Sequence, residues 1–250
     1  MKIVKMAGFA CWMYYRLTHL RHFRREIRKY RALGDYEKER EQILNSTSDW
    51  GRQLMERYRI KLNVSGLENL PEGPVLFVSN HQGYADIPVF CAVLAGKKQA
   101  GFVAKRSLGR IPIYGGWIQD IRSVFIDRDD ARSSLKTMEE GIDLLKKGFS
   151  LVIFPEGTRS RGPKLGEFKK GSLRLATKSG VPVVPVTLNG TYRIFEDHGY
   201  VKPGAEVDFH IHPAIETEGL SKAEQNGLAE RVRSIILSKL EEFQQKEQAS

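Results

Sequence analysis

Seven short apolar runs between residues 60 and 212 constrain this chain more than any other feature. They read "IKLNVSG", "PVLFVSN", "AGFVAK", "RSVFID", "SLVIFP", "VPVVPVTL" and "EVDFHIH". Each has the length and the Val, Ile and Phe content of a strand. Helical patterns lie between several of them. In "DDARSSLKTMEEGIDLLKKG", Leu135, Met138, Ile142 and Leu145 recur at helical spacing, with Asp130 as cap and Gly148 as stop. "FKKGSLRLATKSG" is a second crossover helix. A last helix opens on a capping box, Ser221 and Glu224, and carries the stripe Leu228, Val232, Ile235, Ile236 and Leu240. The alternation implies an α/β fold: a mixed, largely parallel β-sheet flanked by helices. At 250 residues and 41% hydrophobic, the chain can bury one such core.

Ahead of the sheet lies a basic arm. The net charge is +10, and residues 1–33 supply +8 of it from nine Lys or Arg against Glu26. The main domain is therefore nearly neutral. A uniformly basic surface would indicate nucleic acid; this asymmetry indicates a local surface partner instead. The arm reads as one helix up to Gly34, apolar and aromatic around Trp12, Tyr14 and Tyr15, then dense in arginine from Arg21 to Arg31. Its apolar run is interrupted by Lys5 and is shorter than the roughly 20 residues a spanning helix needs. An interfacial helix on an anionic membrane fits the pattern. The alternative is a helix packed on the protein's own core with a solvated basic end. A second helix follows Asp35, with "NSTS" as the place where it would break. The expected organisation is a helical hairpin over 1–60 and a main domain over 61–250. Cys11 and Cys91 show no CxxC spacing and read as free thiols of a reducing compartment. No secretory signal is expected.

Chemistry collects just after the strands, where open α/β sheets place their ligands. "VLFVS" is followed by His81 and Asp86, "GFVA" by Lys105, "SVFI" by Arg128, and "LVIFP" by Glu156, Gly157, Thr158 and Arg159. Taken alone, Asp86 reads as a helix cap before Ile87 and Pro88, and His81 as an ordinary loop histidine. Taken together, Asp86 can orient His81 and leave its outer nitrogen basic, provided the loop folds back at Gly83. No G-x-S-x-G signature is present, so such a base would activate a hydroxyl of the substrate. The arginine loop alone could be a salt-bridged turn, and Lys105 and Arg128 could be solvated charges. His210 and His212 share a strand face without a third ligand, and read as exposed polar alternation.

Four segments resemble the blocks of the glycerolipid acyltransferase family, in that family's order: "NHQGYAD", "SVFIDR", "FPEGTRSR" and "VPVVPVTLNG". The chain is most similar to bacterial 1-acylglycerol-3-phosphate acyltransferases. One departure stands out: the second block usually opens with glycine, where this chain has Arg122. The resemblance implies a glycerol-3-phosphate acyltransferase-like fold and transfer of a fatty acyl group from a thioester, acyl-CoA or an acyl-carrier protein, to lysophosphatidic acid. His81 would be the base and Asp86 its orienter. Arg159, with Lys105 and Arg128, would bind the substrate phosphate, each charge-assisted bond contributing about 1.5–3 kcal/mol. Glu156 would hold Arg159 or touch the glycerol, and the Glu156–Gly157–Thr158 loop would face the substrate and its oxyanion. Glycerol 3-phosphate or another lysolipid is the alternative acceptor, and a non-catalytic membrane-binding module the alternative of another class. The expected setting is the cytoplasmic face of the cell membrane, with no metal, cofactor or nucleic acid.

Overall fold

The computed structural model describes residues 2–127 and 130–249. All seven apolar runs are strands: β1 (Lys61–Ser65), β2 (Leu76–Ser79), β3 (Gly101–Lys105), β4 (Val124–Ile126), β5 (Leu151–Ile153), β6 (Val183–Asn189) and β7 (Glu206–Ile211). They form one sheet in the order β1-β7-β6-β2-β5-β3-β4. Every neighbouring pair is parallel except β6 and β7. The central strands β2, β5 and β6 are buried on both faces, as their unbroken apolar runs require. Edge strand β1 alternates instead, laying Lys61, Asn63 and Ser65 against Glu206, Asp208 and His210. Pro185 costs little: the regular β6–β7 ladder ends at Val186↔Ile211, Pro185 O still accepts from His212 N–H at 3.0 Å, and its missing N–H falls between that bond and the bridge Val183↔Ile215.

Helices α4 (Asp86–Val93), α5 (Tyr114–Asp120), α6 (Ala131–Lys146), α7 (Arg174–Ser179), α8 (Tyr192–Phe195) and α9 (Lys222–Ala249) connect and flank the strands. Asp130 caps α6 through Ser133 N–H, and the Ser221–Glu224 box is closed in both directions. The histidine pair departs from expectation. His212 lies just past β7 and is buried, bonded to Thr187 and 4.5 Å from the His210 ring. Burial holds its pKa down at about 4.

The arm contains three helices, α1 (Lys2–His19), α2 (Arg21–Leu33) and α3 (Tyr36–Arg57). The expected single helix is interrupted at Leu20, whose ψ of 2° lets Leu17, Leu20 and Ile27 all reach the core. Conversely, α3 runs unbroken through "NSTS". Ser46 accepts from Trp117 Nε1, Ser48 accepts from Gly96 N–H, and Thr47 bonds back to Ile43 O. These small buried side chains let α4 press close; a Cβ on Gly51 would stand 2.5 Å from Ala92 N. The arm thus supports α4, the helix that begins with Asp86. Among the described residues no helix is long and apolar enough to cross a membrane.

Three of the arm's arginines, Arg16, Arg24 and Arg31, turn inward, and Arg28 reaches in from an exposed position. Arg24 and Arg28 bind Asp120 at 2.6 and 2.9 Å, Arg16 pairs with Asp49, and Arg31 reaches Glu39 at 2.8 Å. Arg122 grips the other side of that fully buried Glu39 with two bonds of 2.7 Å. Its φ of +63° is the left-handed conformation a glycine would adopt freely. The departure from the family's glycine is therefore a backbone compromise that secures α3 to the sheet.

Candidate active site

The site grows from the carboxyl end of β2. Asn80 inserts its side-chain amide beside β6, donating to Leu188 O and accepting from Leu188 N–H, both at 2.8 Å. The chain then turns sharply. Asp86 Oδ2 accepts from His81 Nδ1 at 2.6 Å, from Gln82 N–H at 2.8 Å and from Gly83 N–H at 3.1 Å. Asp86 is fully buried and occupies the first position of α4, so it is not that helix's cap. It ties down the loop before the helix. A carboxylate can only accept, so Nδ1 carries the proton and Nε2 is the basic nitrogen. The ring stacks on Phe154 at 4.2 Å, which fixes its plane, and stays partly open to solvent.

The loop after β5 is stitched to this one. Ser160 N–H donates to His81 O at 2.8 Å, and Arg161 N–H to Gln82 O at 3.1 Å. Glu156 does not hold Arg159. Its carboxylate accepts from His81 N–H at 2.7 Å and from Gly166 N–H at 2.8 Å. Burial pushes the Glu156 carboxyl above its usual range, and those two N–H groups oppose the shift.

Arg159 sits beside the His81–Asp86 loop, its guanidinium 3.6 Å over the Tyr84 ring. Its partner is Glu196, at 2.8 Å, in the turn after α8. Gly157 spends its own N–H on Phe154 O, so oxyanion donors must come from other amides of the loop; Thr158 lies exposed at its tip. Lys105 ends β3, separated from β2 by β5, exposed and with no ion-pair partner among the described residues. Arg128 lies outside the described residues.

An apolar cavity of about 520 Å³ opens next to Asp86, between α1, α3 and α4. Met13 and Leu17 of α1, Trp50 and Leu54 of α3, and Ile87 and Tyr114 line it. Its size falls within the range of about 300–1,000 Å³ usual for ligand pockets. Exposed Tyr14, Tyr84 and Ile111 lie at its margin. A polar cleft of about 750 Å³ lies by Glu206 and Glu247 on the β7 side, away from this chemistry. Among the described residues no group of His, Cys, Asp and Glu is arranged to hold a metal.

A family model described as Acyltransferase matches residues 61–189, from the start of β1 to the end of β6. The chain belongs to the Acyltransferase family. A 1-acyl-sn-glycerol-3-phosphate acyltransferase of Borreliella burgdorferi is 36% identical over 185 residues, covering 73% of this chain and 72% of the relative. A chloroplastic protein of the same description from Arabidopsis thaliana is 44% identical over 136 residues, 54% of this chain and 37% of its own length. The chain thus spans less than two fifths of the plant relatives it matches. The crystal structure of the 1-acyl-sn-glycerophosphate acyltransferase PlsC of Thermotoga maritima aligns with a TM-score of 0.72 at 28% identity, over 92% of this chain and 98% of that one.

Two features of the site are not visible in the sequence. Glu156 serves the backbone of the His81–Asp86 loop rather than an arginine, because that role depends on how two distant loops meet. Glu196 carries no motif; the only sign was an acid soon after the fourth block's strand, in "TYRIFED".

Proposed function

We propose that this chain transfers a fatty acyl group from a thioester to the sn-2 hydroxyl of 1-acylglycerol 3-phosphate, giving phosphatidic acid. His81 Nε2 takes the hydroxyl proton as the oxygen attacks the thioester carbonyl. The tetrahedral intermediate collapses, the C–S bond breaks, and His81 returns its proton to the leaving thiolate. Asp86 steadies the imidazole and the transient imidazolium. Arg159 anchors the phosphate as a fork, with Lys105 and Arg128 contributing charge. The donor is acyl-CoA or an acyl-carrier protein, and the apolar cavity beside Asp86 accommodates an acyl chain.

One observation carries this reading. The His81–Asp86 bond of 2.6 Å lies in a loop that also pairs, backbone to backbone, with the loop of Arg159. A base for an alcohol and a cation for its neighbouring phosphate are thereby presented together. The relatives' names agree with that acceptor.

The proposed setting is the cytoplasmic membrane face, with α1 lying in the interface. Supporting this, Ile3, Val4, Tyr14 and Tyr15 are all more than half exposed on α1. Arg21 and Arg25 on α2 are exposed and lack ion-pair partners among the described residues, free to meet anionic headgroups. Acyl transfer with purified protein, lysophosphatidate or glycerol 3-phosphate as acceptor, and acyl-CoA or acyl-carrier protein as donor, tests the reading. Phosphatidic acid from lysophosphatidate is expected. Free fatty acid alone, or ester formed only on glycerol 3-phosphate, would refute it.

A further inference from the structure

We infer that Glu196 is a positioning residue for phosphate recognition, aiming the Arg159 guanidinium and fixing it to the loop that carries His81 and Asp86. The inference rests on the phosphate role of Arg159 proposed above.

The geometry begins with one oxygen. Glu196 Oε1 accepts from Arg159 Nη1 at 2.8 Å and from Tyr84 N–H at 2.9 Å. Tyr84 lies between His81 and Asp86, so a single carboxylate oxygen joins the proposed phosphate-binding group to the proposed catalytic loop. The Tyr84 ring then covers one face of the guanidinium at 3.6 Å, and Phe195 packs edge-on against that ring at 5.6 Å. Arg159 is held at one nitrogen and on one face. Its Nε and Nη2 have no protein partner among the described residues. A guanidinium restrained this way keeps a planar edge ready for a phosphate, with little rotamer freedom left to lose.

Two further observations separate this arrangement from an ordinary stabilising ion pair. The Glu196 side chain is 4% exposed, yet its second oxygen, Oε2, is buried with no hydrogen-bond partner among the described residues. A half-satisfied buried carboxylate is a poor device for stability alone. A carboxylate is also an odd neighbour for a phosphate, unless its purpose is to orient the cation between them. Secondly, a Cβ built on Gly83 would stand 2.4 Å from that Oε2. The glycine of "NHQGYAD" therefore makes room for Glu196, in addition to allowing the bend. Substrate alcohol and phosphate must register with His81 and Arg159 at once, and misplacement of either group reduces the rate steeply.

The experiment is a kinetic cycle on the full chain, with lysophosphatidate in mixed micelles and an acyl thioester as donor. Arg159→Ala raises the acceptor KM. Glu196→Ala raises it by about tenfold or more and leaves the donor KM unchanged. Glu196→Gln keeps an acceptor oxygen for both N–H groups and recovers most of the loss, which also controls for misfolding. Because Glu196 acts through Arg159, the double variant R159A/E196A is no worse than R159A. Gly83→Ala displaces the carboxylate and resembles Glu196→Ala; added to Glu196→Ala it has little further effect. Additive losses in the R159A/E196A pair overturn the inference, as does an equal rise in both substrates' KM. If R159A impairs acceptor binding and E196A does not, the positioning role alone fails. If R159A leaves the acceptor KM unchanged, the phosphate reading fails and this inference with it.

Discussion

The His81–Asp86 loop and the N-terminal arm follow opposite rules. In the loop from Asn80 to Asp86, polar groups are buried and answered one by one. Asn80 is clasped by β6, Asp86 receives a ring and two amides, and Glu156 receives the His81 N–H. In the arm, α2 turns Arg24 and Arg31 into the protein while α1 shows Ile3, Val4, Tyr14 and Tyr15 to the outside. A helix in water does the reverse. Chemistry needs groups whose positions are over-determined, and those come from dense hydrogen bonding. The membrane contact proposed for α1 would need exposed apolar area, and the inward ion pairs hold the arm in a pose that leaves that area exposed.

The largest effect that tests this contrast is His81→Ala, expected to reduce kcat by about 10²- to 10⁴-fold with an unchanged melting temperature. Retained activity would remove the base from the account. Glu156→Ala leaves the half-buried His81 and Gly166 N–H groups without their carboxylate and should lower stability by about 1–3 kcal/mol, read by urea unfolding, together with kcat. If only stability falls, the Glu156 contact is a fold contact and the loop's precision lies elsewhere. The same residue carries a pH signature. Its folded pKa is raised, so its contribution to stability is fully present below the ordinary carboxylate value of 4.5 and is lost as pH rises through the folded value. Glu156→Gln should flatten that part of the melting-temperature profile.

For the arm, replacing Ile3 and Tyr14 by lysine should reduce binding to vesicles containing phosphatidylglycerol, and deleting residues 1–33 should reduce it further. Unaltered binding would mean that the exposed apolar face is not the contact. The smallest effect is expected at Arg122→Gly. It relieves a left-handed backbone worth about 1–2 kcal/mol but removes two charge-assisted bonds to Glu39, which keeps Arg31 as a partner, so the net change should be a destabilisation at the low end, about 1 kcal/mol.

How far could such features be read in advance? The strands were legible because each is a short run whose pattern is local. His81 and Asp86 were legible as a pair only because Gly83 permits the fold-back, and "FPEGTRSR" because it directly follows a buried strand. The break at Leu20 and the continuity of α3 through "NSTS" were not legible. Propensity favours one outcome at each place, and packing against the sheet and α4 selected the other. Nor was the buried state of His212, which bonds to Thr187 of β6, a side chain that itself reaches α9, and so does not follow from strand alternation.

The set of elements, and the order in which reactive side chains leave them, follow from periodicity and turn chemistry along a few neighbouring residues. Which polar groups meet is a matter of the folded chain: Arg159 with Glu196, Glu156 with the His81 backbone, Arg24 and Arg28 with Asp120. An arginine's sign and reach are the same wherever it stands. Whether it is left free for a phosphate, a membrane or its own carboxylate depends on residues tens of positions away that folding brings alongside.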